Sequence, residues 1–88
     1  MTAHHVPIEQ EIDLHAFAPR DIPSVVEEYI AEAARLGFRE VRVVHGRGRG
    51  VQRGIVQATL ERLPQVEAFR DDMASHLGAT LVWLRANL

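Results

Sequence analysis

Two short segments of this sequence carry side chains that do chemistry. The first is Asp13 and His15, separated by one residue. On an extended strand that spacing puts both side chains on one face, where a carboxylate can orient an imidazole and make it a better general base. The same pattern also suits any polar strand face turned to solvent. The second segment is His45-Gly46-Arg47-Gly48-Arg49-Gly50. Glycines at alternate positions let the backbone approach an anion closely, and arginines between them add charge-assisted hydrogen bonds. A helix starting after this loop would direct its free N–H groups and positive dipole end at the same place. A flexible turn with incidental arginines is the plainer alternative. The spacing is neither that of a dinucleotide fingerprint nor that of a Walker A loop, which ends in Gly-Lys-Ser/Thr.

The charge distribution strengthens the phosphate reading. The 88 residues have a formal charge of −2, which taken whole argues against nucleic acid. All ten basic residues are arginine, however, and six of them fall within residues 35–53 against the single acid Glu40. Residues 1–34 hold seven acids and one arginine. Arginine recognises phosphate through a rigid, bidentate fork. The candidate phosphate-binding set is therefore Gly46, Arg47, Gly48, Arg49, Gly50 and Arg53. Cysteine is absent, which excludes a disulfide scaffold, thiolate zinc sites and a thiol nucleophile.

The elements that must position these groups follow from periodicity. Glu11 to Ala16 alternates as a half-buried strand, with Ile12, Leu14 and Ala16 on one side. Asp21 is placed to cap a helix with Pro23 in its first turn. That helix is striped by Ile22, Val26, Tyr29, Ile30, Ala33 and Leu36, and Gly37 stops it. Glu40 to His45 reads as a second strand, and Val51 to Leu63 as a second helix ended by Pro64. Val66 to Arg70 and Ala79 to Arg85 form a terminal hairpin across the polar loop Asp71 to Gly78. The expected fold is an α/β (α+β) two-layer sandwich, βαβαββ, with a four-stranded mixed sheet and both helices on one face. Residues 1–10 read as a loose leader and 11–88 as the domain. Trp83 has the parity opposite to Val82 and Leu84, so it is directed at the open face, to stack on a base or to cover the sheet.

If the first two strands are parallel neighbours, Asp13, His15 and His45 meet the glycine loop at one sheet end, where open α/β sheets bind ligands. That combination suits phosphodiester cleavage, with one histidine as base, another as acid, and arginines and amides holding the phosphate. A divalent metal such as Mg2+ or Mn2+ is conceivable at Asp13 and the histidines, although three such residues make a poor site without further oxygens. No export signal and no long apolar run is present, so a cytoplasmic location and no membrane partner are expected.

Three motifs in order resemble the small MutS-related (Smr) domain family. Ile12-Asp13-Leu14-His15 is similar to its Leu-Asp-x-His motif, and His45 to Gly50 to its His-Gly-x-Gly-x-Gly motif. Gly78-Ala79-Thr80 begins a segment similar to the one that closes the domain. The resemblance spans about Glu11 to Arg85 and suggests a stand-alone, bacterial-type member. It implies a sandwich similar to the C-terminal domain of translation initiation factor three. It also implies an endonuclease nicking DNA, with branched DNA among the substrates, or cleaving structured RNA. By resemblance, Asp13 and His15 map to the cleavage motif, and His45 with the glycine loop to the substrate-binding motif. One departure is Ala16, where the family commonly has glycine. The other classes are a non-catalytic nucleic-acid-binding module of the same fold and a protein-interaction domain for an acidic partner.

Overall fold

The computed structural model describes residues 8–46 and 50–86. The order of elements is β1 (Glu11–Asp13), α1 (Ile22–Arg35), β2 (Glu40–Val44), α2 (Val51–Arg62), β3 (Val66–Asp71) and β4 (Ala79–Leu84). The four strands form one mixed sheet in the order β1-β2-β4-β3. β1 lies parallel to β2, and β4 runs antiparallel to both β2 and β3. This is the expected βαβαββ sandwich. α2 carries the chain over β4, so that β3 takes the far edge.

Both helices cover one face. Val26 and Ile30 of α1 and Val56 and Leu60 of α2 are buried in one cluster with Val41, Val43, Val82 and Leu84 of the sheet. The period of 3.6 on the helices and of 2 on the strands supplies that layer. Leu36, placed on the same helical stripe, is instead 46% exposed at the end of α1. There the chain turns: Phe38 N–H donates to Ala33 and Gly37 N–H to Ala34, with Gly37 at φ +84°. That is the paired hydrogen-bond pattern of a left-handed helix stop.

Three local expectations differ. Asp21 makes no side-chain cap; a 3-10 turn over Pro19–Asp21 leads straight into α1 and fixes its start. Residues 8–10 are not loose. Glu9 carbonyl accepts the Tyr29 hydroxyl at 2.5 Å, Gln10 carbonyl accepts Arg42 N–H at 2.8 Å, and Ile8 packs on the core. The remaining leader residues, His4 and His5 among them, lie outside the described residues. The first strand also stops at Asp13, earlier than its alternation suggests, and this shapes the site.

Trp83 stands on the face that the helices leave open. Its indole N–H donates to Glu40 Oε1 at 3.1 Å, and the Arg70 guanidinium lies 5.5 Å from the ring centroid. Arg42 on the same face bridges Glu11 and Asp72. Phe69, paired with Val82 across the hairpin, packs against the core. No helix among the described residues is long and apolar enough to cross a membrane.

Candidate active site

The end of β1 is set by Asp13 itself. Leu14 N–H still reaches the Val44 carbonyl at 2.8 Å, continuing the ladder. One residue later the His15 N–H turns to the Asp13 carboxylate at 2.9 Å, and Phe17 N–H closes a turn on Leu14. A short acidic side chain competing for the backbone ends a strand in this way. Ile12 and Leu14 keep the inward parity, whereas Ala16 is exposed in the turn.

The turn brings the two side chains together. Asp13 Oδ1 also accepts a hydrogen bond from His15 Nδ1 at 2.5 Å, on a surface where both side chains are more than half exposed. Hydrogen bonds from the His15 backbone and ring hold the Asp13 carboxyl below its ordinary value of 3.8. With Nδ1 committed to the carboxylate, Nε2 is the nitrogen left to accept a proton. It lies against Gly46: a Cβ at that position would stand 3.1 Å from Nε2. Gly46 has φ +84°, so its backbone favours glycine, and a side chain there would also crowd the ring beside it.

His45 is placed differently from expectation. Its parity is that of Val41 and Val43, and its ring enters the helix-facing layer, 1% exposed. Nδ1 is 2.9 Å from the Gly46 carbonyl and Nε2 3.0 Å from Thr80 Oγ1. Burial holds its pKa below 6.5 and keeps the ring neutral. A ring so enclosed does not meet a substrate, and the part expected of it as a second acid–base group is not one this placement offers.

Of the phosphate set, Gly50 sits at φ +80° as the N-cap just before α2, and no side chain among the described residues caps the helix start. Arg53, in the first turn, is held by Asp71 through Nε at 2.6 Å and Nη2 at 2.7 Å. Arg53, followed by Gln57, keeps the Asp71 carboxyl below its ordinary value. Arg47, Gly48 and Arg49 lie outside the described residues. Four participants were not singled out beforehand as site residues: Thr80, Gln57, Asp71 and Gly78. Thr80 had a signal, being a polar residue with the inward parity of Val82 and Leu84, which obliges it to find a buried partner.

Among the described residues no group of three or more histidine or acidic side chains converges in a way that could hold a metal ion. Asp13 and His15 offer two donors, and one Asp13 oxygen already accepts two hydrogen bonds. This donor set does not fit a protein-only site for Mg2+ or Mn2+, which take mostly oxygen ligands.

Comparison with known proteins places the chain. The family model described as the Smr domain matches residues 12–85. The endonuclease MutS2 of Halalkalibacterium halodurans is 37% identical over 84 residues, covering 93% of this chain and 10% of that protein. The endonuclease MutS2 of Caldicellulosiruptor saccharolyticus is 34% identical over 80 residues, covering 89% and 10%. The chain therefore spans about a tenth of the length of these relatives. The Smr domain of Thermus thermophilus MutS2 superposes with a TM-score of 0.79 at 32% identity, over 85% of this chain and 96% of that one. YdaL, a stand-alone small MutS-related protein from Escherichia coli, gives 0.80 at 26% identity, over 90% and 66%. With motif, fold and family model in agreement over most of its length, the chain belongs to the Smr domain family.

Proposed function

We propose that this domain is an endonuclease that cleaves phosphodiester bonds in DNA or structured RNA, with Asp13 and His15 as its catalytic pair. The observation that carries the reading is the exposed Asp13–His15 contact with His15 Nε2 turned to Gly46, the first glycine of the loop. Nε2 takes a proton from the attacking oxygen, a water or, in RNA, the neighbouring 2′-hydroxyl. That oxygen attacks phosphorus, the bond to the leaving oxygen breaks, and the leaving oxygen takes a proton from water. Asp13 stabilises the imidazolium formed at His15. The loop from Gly46 to Gly50, with Arg47 and Arg49, holds the phosphate beside the uncapped start of α2. The names of the MutS2 relatives support the nuclease class.

Nicking of supercoiled plasmid, a branched junction and a structured RNA tests it. Asp13→Asn and His15→Ala are each expected to lose about a hundredfold or more in rate. Binding without cleavage by the wild type would make this a nucleic-acid-binding module instead. Equal cleavage by all three proteins would remove the pair from the mechanism.

A further inference from the structure

Gly46 is gripped from beneath by groups that the reaction itself does not use. A carbonyl only accepts, so His45 Nδ1, 2.9 Å from the Gly46 oxygen, carries the proton. In the neutral ring Nε2 must then accept, and the Thr80 hydroxyl 3.0 Å away donates to it. That hydroxyl accepts in turn from Gln57 Nε2 at 3.2 Å. The second Gln57 N–H goes to Asp71 Oδ1 at 3.0 Å, the carboxylate that holds Arg53. Every donor and acceptor in this chain has one consistent direction. The backbone adds a second hold: the Gly78 carbonyl accepts the N–H of both His45, at 3.0 Å, and Gly46, at 2.9 Å. Thr80 is fully buried, whereas Asp13 and His15 are both more than half exposed.

We infer that Thr80 and Gln57 are positioning residues, which act through the neutral His45 ring to fix Gly46 beneath the His15 imidazole. The inference rests on the catalytic reading of Asp13 and His15, and gives the closing Gly78-Ala79-Thr80 segment a purpose in the same site. A donor lost at Thr80 leaves a buried acceptor on His45 and frees the Gly46 peptide to shift. Displacement of a reacting group by about 1 Å can cost as much as a hundredfold in rate.

The test compares Thr80→Val, Thr80→Ser and Gln57→Leu with wild type, each checked for folding by amide spectra. Imidazole 15N spectra are expected to show the wild-type His45 ring protonated at Nδ1. Thr80→Val is expected to move the His45 Nε2 and the His15 ring signals, and Thr80→Ser to restore both. In the nicking assay Thr80→Val should lower kcat about tenfold or more with KM unchanged, and Thr80→Ser should recover most of it. A wild-type His45 protonated at Nε2, or His15 signals indifferent to Thr80→Val, overturns the inference. A wild type that cleaves nothing defeats the nuclease reading instead, and the His15 signals still decide whether Thr80 positions that ring.

Discussion

His15 Nε2 stands over the place that a side chain on Gly46 would take: a Cβ there would meet the nitrogen at 3.1 Å, a few tenths of an ångström inside ordinary contact. The backbone of Gly46, at φ +84°, disfavours a side chain independently of that contact. Gly46→Ala is therefore expected to lose about 1–2 kcal/mol of stability from the backbone alone. The exposed His15 ring can swing aside, so the clash should appear in activity more than in stability. Denaturant midpoints and nicking rates, measured together, separate the two effects. Gly37 is the control, since its φ is +84° and a Cβ there meets nothing within 4 Å. Gly37→Ala should lose similar stability and keep its nicking rate.

Burial of neutral His45 makes stability depend on pH in a defined direction. Its pKa is lowered by desolvation from 6.5, so between that value and the lower folded one the unfolded chain binds more protons. The stabilisation is complete above about pH 6.5 and drains away as pH falls below it. His45→Gln keeps a donor and an acceptor but cannot titrate. Its denaturant midpoint should vary less between pH 7 and 5 than that of the wild type. Parallel curves for the two proteins would show that His45 is not the titrating group.

The sequence contained more of the fold than of the site. Strand and helix periods placed every main element, because burial on one face imposes those periods. A continuous strand puts Asp13 and His15 on one face by their spacing alone. They meet instead through a turn that the Asp13 carboxylate makes with the His15 backbone. His45 shows the opposite outcome. Its position two residues beyond Val43 already directed it inward, but its adjacency to a glycine-rich loop suggested surface chemistry. Gln57 and Asp71 belong to a different helix and strand, and only tertiary packing brings them to Thr80.

The turn before β4 holds two consecutive non-glycine residues in the left-handed region, His76 at φ 53° and Leu77 at φ 70°. Leu77 is 41% exposed, so its side chain returns little burial for that backbone. Glycine there relieves about 1 kcal/mol of steric cost but loses about as much to the freedom of the unfolded chain. Asparagine tolerates the conformation without that entropy. Leu77→Asn is therefore expected to raise stability by about 0.5 kcal/mol and Leu77→Gly to change it little. A midpoint that falls for Leu77→Asn would show that the leucine contributes packing beyond its exposure.

Salt dependence distinguishes the arginines. Each phosphate neutralised contributes about 0.9 to the slope of log affinity against log salt on duplex DNA. Arg47 and Arg49 flank Gly48 in the loop proposed to hold phosphate, and removing both should flatten the slope by nearly two units. Arg53 already spends its Nε and one terminal nitrogen on Asp71, which cancels its charge locally. Arg53→Ala should therefore change the slope by well under one unit. Its larger effect is on folding, because among the described residues Asp71 then keeps only Gln57 as a side-chain partner. Asp71 has its pKa lowered chiefly by Arg53, so the pair stabilises the fold above about pH 4 and ceases to as the carboxylate protonates. Wild type should accordingly exceed Arg53→Ala in denaturant midpoint by more at pH 7 than at pH 3. A full unit of slope lost with Arg53 would instead put its guanidinium on the phosphate and take it away from Asp71 in the bound state.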